Sequence, residues 1–170
     1  VYRIDPDTPA VTVEATYRMT NITPDRNLGG GRVEFFFFDG IRLPLDDPID
    51  DLSVTVDGRA VEFTLTDIEG FPVVDIEFNS NLRYDRPARI DVRYRLLGSP
   101  PRAPSSFVRV NPAYVSFPVV AYADDGLADV RVEVPAEWTV DYVGSDFDSE
   151  RVDGGVRVLD AVGIPDTSEF

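Results

Sequence analysis

Between residues 88 and 96 the chain keeps a strict two-residue rhythm. Ala88, Ile90, Val92, Tyr94 and Leu96 are apolar, while Arg89, Asp91, Arg93 and Arg95 between them are charged. In an extended strand successive side chains leave opposite faces, so this order makes one apolar and one charged face. A helix would scatter the same residues around its whole circumference. Val11, Val13, Ala15, Tyr17 and Met19 alternate with Thr12, Glu14, Thr16 and Arg18 in the same way. Shorter runs repeat the pattern at 52–56, 61–65 and 74–78, and no segment of ten or more residues has helical spacing. The expected fold is all-β: an antiparallel β-sandwich of roughly ten strands with helical content below ~15%, well under the usual share.

The residues between these runs set the expected connections. Asp57-Gly58 lies between two alternating runs. It predicts a hairpin whose central residues both take positive φ. That hairpin would pair 52–56 with 60–65 and bury Val54, Val56, Phe63 and Leu65. Gly29-Gly30-Gly31 precedes Arg32 to Phe38, where four consecutive phenylalanines, Phe35 to Phe38, suggest a central strand covered on both sides. Asn79-Ser80-Asn81 is expected to stop the strand at 74–78. Further strands are expected at 107–110, 114–120, 128–134, 138–143 and 155–159. The proline-rich stretch 98–106 is either an edge loop or a linker. The second half holds too few and too short strands for a core of its own. The expectation is therefore one domain, 1–170, with 1–97 and 107–170 as its sub-structure.

Composition narrows the chemistry. The chain has no histidine and no cysteine, and all 16 of its basic residues are arginine. A Ser-His-Asp triad, a cysteine nucleophile, an ordinary zinc site, a Schiff-base lysine and a P-loop lysine are all excluded. The formal net charge of −15 repels phosphate backbones and anionic lipid, so nucleic acid is not an expected partner. No apolar run reaches the ~18 residues of a membrane-spanning helix, so no membrane insertion is expected from this segment. Arginine without lysine, together with abundant Asp, Val, Ala and Gly, suggests a bacterial GC-rich source. The sequence opens on Val1 with no charged-then-apolar leader, as a processed or excised chain would. An extracytoplasmic or cell-surface location is expected.

What remains for a site is carboxylates, hydroxyls, aromatics and arginines. Asp146, Asp148 and Glu150, continuing to Asp153-Gly154, imitate the opening of a calcium loop, where several oxygens from one segment hold the ion. Arg151 stands where such a loop needs glycine, and Arg157 where it needs a bidentate glutamate. A solvated acidic turn is the plainer reading. Calcium is the only cofactor held open, with none expected otherwise. Asp46-Asp47 with Asp50-Asp51, and Asp124-Asp125 with Asp129, read as turns. Asn21-Ile22-Thr23 has the form of a glycosylation acceptor, but Pro24 follows and a strand-end turn accounts for it. Ser105-Ser106 has no base or nucleophile elbow nearby and reads as loop. Phe35 to Phe38, Tyr17 and Tyr94 are assigned to the core, and Trp138 is the ring expected to be most exposed.

Two stretches resemble the N-terminal β-domain of the zinc aminopeptidase family, the aminopeptidase N-like gluzincins. One runs from Asp51 through Asp57-Gly58 to Val61, then Val74 to Phe78, Leu82 and Arg89 to Arg95. It is similar to that family's hairpin, strand, short turn and strand. The other is Phe117-Pro118, Asp124-Asp125, Ala128 to Pro135 and Trp138 to Val140. It is similar to the passage whose returning strand ends at a proline, with Asp124-Asp125-Gly126 in place of Asp-Glu-Pro. The family's His-Glu-x-x-His and Gly-x-Met-Glu-Asn motifs are absent, and no catalytic residue carries over. The resemblance implies a non-catalytic scaffold or substrate-flanking domain. Its partner would be a downstream catalytic or helical domain of the same polypeptide. The alternative expectation is a stand-alone extracytoplasmic module binding a glycan or a protein.

Overall fold

A computed structural model describes residues 1–5, 7–8, 10–46, 49–68, 70–98, 108–111, 114–121, 126–144, 146–165 and 168–169. Among them there are strands and no helix. The first half holds β1 (Tyr2–Ile4), β2 (Ala10–Thr20), β3 (Arg26–Gly29), β4 (Arg32–Glu34), β5 (Phe37–Pro44), β6 (Ile49–Val56), β7 (Arg59–Ala60), β8 (Phe63–Ile68), β9 (Phe71–Arg83) and β10 (Pro87–Leu97). The second holds β11 (Arg109–Asn111), β12 (Tyr114–Ser116), β13 (Val120–Ala121), β14 (Leu127–Pro135), β15 (Ser149–Asp153), β16 (Val156–Pro165) and β17 (Ser168–Glu169). The all-β sandwich class is as expected. The strands are more numerous than roughly ten because short strands of two to four residues, β1, β3, β4, β7, β11, β12, β13 and β17, accompany the long ones.

Two compact units share these strands: Val1–Val13 with Asp47–Asp50 and Tyr94–Phe170, and Glu14–Asp46 with Asp51–Arg93. The divisions fall inside β2, β6 and β10. Residues 99–107, which include most of the proline-rich stretch and Ser105-Ser106, lie outside the described residues.

In the first unit the strand order is β15-β16-β14-β1-β2. All neighbours are antiparallel except β1 and β14, which run parallel with Tyr2 opposite Val132. Val130, Val132 and Val134 on β14 and Val158, Leu159 and Ala161 on β16 are buried beside Ile4 and Val11. The Tyr2 ring stacks on Phe117, and its hydroxyl donates to the Val120 carbonyl and accepts from the Val120 N–H. A buried tyrosine needs such partners for its polar end. The strand expected at 138–143 does not form: after the proline end of β14 the chain turns at Ala136-Glu137 and runs on without a ladder partner.

Asp160 on β16 is 9% exposed, and its carboxylate accepts hydrogen bonds from Arg131 at 2.7 Å and from Arg151. Burial opposes the charged form, but the hydrogen bonds and charges of the two guanidinium groups outweigh it and hold the carboxyl below its ordinary range. A depressed native value means that the stabilisation is present above the unfolded value of about 3.9 and is lost as pH falls through the native one. Asp160→Asn is therefore expected to cost about 2 kcal/mol at neutral pH, the scale of charged hydrogen bonds. Urea titrations at neutral and acid pH should show the wild-type advantage shrinking in acid. An equal difference at both would rule out this ion-pair contribution.

In the second unit β2, β10, β6 and β7 form one sheet and β5, β9 and β8 another, with β3 and β4 as a separate hairpin. Val54, Val56, Ala88, Ile90 and Val92 are buried on the first sheet, and Leu43, Val74, Ile76 and Leu82 on the second. The Asp57-Gly58 turn takes the expected form, with φ of 50° and 75°. Its second arm does not. Only Thr55–Ala60 and Val56–Arg59 pair; the chain then leaves at Val61-Glu62, and β8 joins β9 instead. Phe63 and Leu65 consequently stand 37% and 47% exposed, although Val54 and Val56 are buried as expected. They share a face with buried Ile76 and Val74, their cross-strand partners, but lie on the marginal strand, beyond the cover that reaches β9.

Asn79-Ser80-Asn81 does not stop β9. Phe38 pairs with Leu82 and Gly40 with Glu77, so four residues of β9 oppose Asp39 alone. This wide bulge is possible because Gly40 has no side chain: a Cβ there would lie 2.3 Å from the Ile76 carbonyl oxygen.

Candidate functional site

The acidic residues singled out from the sequence are drawn into a hairpin and its approach. Asp148 accepts a hydrogen bond from the Val162 N–H at 2.7 Å and donates its own N–H to the Asp160 carbonyl. Glu150, in β15, is paired with Arg157. Asp153 ends the same strand, three residues on, and therefore leaves from the opposite face about 10 Å further along. Asp146 precedes the strand. Among the described residues no group of three or more carboxylates is gathered as metal ligands.

Trp138 is half-buried. Beside it Tyr142 is 43% exposed and meets Phe147 edge-on at 5.3 Å. These rings, with Phe117, Thr139 and Asp141, line a cavity of about 310 Å³ in the first unit.

Asn21, directly after β2, is 1% exposed and makes three of the four hydrogen bonds its side-chain amide can form, including both donations. Nδ2 donates to the carbonyls of Phe36 (3.2 Å) and Leu82 (3.0 Å), and Oδ1 accepts from the Thr23 N–H. This is the turn reading of Asn21-Ile22-Thr23, and the buried, doubly donating nitrogen leaves no room for a glycan. The Asn21 backbone also grips the β9–β10 turn, accepting from the Asp85 N–H at 2.7 Å and donating to the Arg86 carbonyl.

The phenylalanine run departs from expectation. Phe35, Phe36, Phe37 and Phe38 are 38–54% exposed, and Phe35 and Phe36 lie outside any strand. No sheet covers them; the Arg83 guanidinium lies 5.2 Å from the Phe35 ring centre. With Leu28 and Val33 on the β3–β4 hairpin, and Phe63, Leu65, Ile68 and Phe71 around β8, the second unit exposes many large apolar side chains.

The β9 bulge, the Asp57-Gly58 turn and the β9–β10 turn enclose a cavity of about 480 Å³ in the second unit. Asp57, Arg59, Asn79, Asn81, Arg83 and Arg86 are among its lining residues. No sequence motif pointed to it, because its residues come from two separate segments, 56–59 and 78–88.

No family model and no curated protein matches the sequence. Solved structures do match the fold. The M1 zinc metallopeptidase from Deinococcus radiodurans aligns with a TM-score of 0.53 and 16% identity, over 96% of this chain and 37% of its own. A mutant M1 zinc metallopeptidase from the same organism, bound to a Tyr-Ser-Ala substrate, gives 0.52 and 15% over 95% and 36%. A two-domain M1 zinc metallopeptidase mutant bound to L-arginine gives 0.52 and 14% over 96% and 37%. The chain is similar in fold to part of an M1 zinc metallopeptidase. The β-domain fold implied by the sequence resemblance is thus the fold observed. The chain spans little more than a third of the length of these peptidases, and at such identities the likeness is one of fold.

Proposed function

We propose that this chain is a non-catalytic scaffold or substrate-flanking domain of a larger, gluzincin-like metallopeptidase, and that it docks on a neighbouring domain of the same polypeptide. The observation that carries the proposal is the uncovered apolar margin of the second unit. Phe63 and Leu65 continue the inward face of their sheet onto β8 and yet stand exposed, as do Phe35 to Phe38. Apolar surface of this kind marks an interaction site more often than an idle surface. The shared fold supports the reading, since it accounts for only 36–37% of the matched peptidases. Composition supports it too, since a chain with no histidine or cysteine has no ordinary zinc ligand set.

The purified chain is expected to hydrolyse no aminoacyl or peptide substrate above background and to hold no stoichiometric zinc by metal analysis. One tightly held transition ion per chain would overturn the reading. The reading frame around the sequence separates the finer possibilities: a downstream His-Glu-x-x-His supports the peptidase domain, and a stop codon or a cell-wall anchor supports a stand-alone module. Hydrogen exchange on the full-length product should protect Phe35 to Phe38 and β8 relative to the isolated chain.

A further inference from the structure

Arginines in this acidic chain are mostly spoken for. Arg3 pairs with Glu133, Arg42 with Asp75, Arg89 with Asp91, and Arg131 and Arg151 with Asp160. Arg59, Arg83 and Arg86 differ. Among the described residues no carboxylate forms an ion pair with any of them, and all three line the 480 Å³ cavity of the second unit. The one acidic side chain in that lining is Asp57, and its Oδ1 accepts a hydrogen bond from the Arg89 N–H at 3.0 Å. Asn79, Ser80 and Asn81 add neutral polar side chains.

Cations that repel one another do not gather unpaired in a chain of net charge −15 without a cost. The backbone fixes two of them, Arg83 and Arg86, at one turn, and Arg59 reaches the same cavity from the strand that follows the Asp57-Gly58 turn. The Asn21 main chain grips the turn between Arg83 and Arg86, the Arg86 N–H donates to the Arg83 carbonyl at 3.1 Å, and the Arg83 guanidinium is placed over Phe35. A guanidinium held over a ring through its charge keeps N–H groups that the ring does not use, and these can form a planar fork of hydrogen bonds. From this convergence we infer that the cavity is a binding site for a small organic oxyanion, a phosphate or sulfate ester, held by Arg59, Arg83 and Arg86. Its volume suits a charged group carrying a small organic body, since ligand pockets start near 300 Å³. The site adjoins the exposed phenylalanines at Phe35, where Arg83 lies, but the inference does not depend on the docking proposal.

Titration calorimetry of the intact chain at low salt, with inorganic phosphate and inorganic sulfate as probes, tests the inference. Saturable binding of one anion per chain is expected, weakened by added salt. Arg59→Gln, Arg83→Gln and Arg86→Gln should each weaken it roughly tenfold, the scale of a charged hydrogen bond. The triple variant should abolish it, and Arg26→Gln with Arg32→Gln on the β3–β4 hairpin should leave it unchanged. Asp57→Asn removes the lone negative charge while keeping the oxygen that accepts from Arg89, and it should tighten binding several-fold, a gain that misfolding cannot mimic. Inorganic phosphate binding that strengthens through that ion's second ionisation, at about pH 7 (a phosphate monoester ionises about one unit lower), assigns a phosphate ligand; equal or tighter binding of sulfate, independent of pH, assigns a sulfate ester. The inference is overturned by no saturable binding at millimolar anion, by binding that survives in the triple variant, or by no gain in Asp57→Asn.

Discussion

Asn21→Ala is expected to lower the unfolding free energy by roughly 3–5 kcal/mol, making it one of the most damaging single changes available in this chain. Alanine removes two donors and one acceptor at once, leaving the Phe36 and Leu82 carbonyls and the Thr23 N–H without their partner. Each buried polar group left unpaired costs about 1–3 kcal/mol, toward the low end for the partly exposed Phe36 carbonyl. A urea titration should show the midpoint falling with an unchanged slope, the signature of lost stability rather than an altered denatured state. Asn21→Asp should be no milder, because it turns a negative charge toward two carbonyl oxygens. Ile22→Ala, at a neighbour 81% exposed, should change stability by less than about 0.5 kcal/mol. A loss below about 1 kcal/mol in Asn21→Ala would mean that water replaces the side chain and that the hub described here does not exist.

Gly40→Ala should cost about 3 kcal/mol, or a fall in melting temperature of roughly 6–12 °C for a chain of this size. The added methyl would lie 2.3 Å from the Ile76 carbonyl oxygen and 3.3 Å from its carbon, both main chain and unable to rotate aside. Relief requires β5 and β9 to separate where Ile41 and Ile76 pair. Gly58→Ala is the comparison: nothing lies near its added Cβ, and only its φ of 75° opposes the change. That variant should lose about 1 kcal/mol, so scanning calorimetry of the pair separates steric from conformational cost. Equal losses would show that the bulge has slack.

The all-β class and the positions of β2 and β10 were legible because each strand has one buried face, and alternation records that directly; of β9 only the middle, 74–78, was legible. The Asp57-Gly58 turn was legible because positive φ selects few residues. Where the reading failed, the deciding partner lay far away in sequence. Phe35 to Phe38 look the same to a sequence whether a second sheet covers them or not. Phe63 and Leu65 keep perfect alternation, yet β8 changes sheets after the two residues Val61-Glu62, and no local feature announces that. Ser149 to Asp153 reads as an acidic turn because every one of its residues is exposed, and it is a strand only because β16 pairs with it. The arginine cavity left no motif, since Arg59 comes from the Asp57-Gly58 turn and Arg83 and Arg86 from the β9–β10 turn, more than twenty residues away. The Asn21 signal was present, but in the form of a glycosylation acceptor; burial alone reveals that its amide is a structural bolt.

Two of the marginal strands, β15 of the eight-stranded sheet and β8 of the three-stranded one, treat a newcomer differently. β15 presents Glu150, Arg151 and Asp153 along an exposed edge, and charges so placed discourage another chain from adding to the ladder. β8 has Phe63, Thr64, Leu65 and Thr66 before its first charge at Asp67, and among the described strands it pairs with β9 alone. An extended segment laid alongside β8 would meet both open backbone groups and apolar side chains. If the chain is made without its neighbour, association between copies should therefore begin at β8, and a lysine introduced at Leu65 should suppress it.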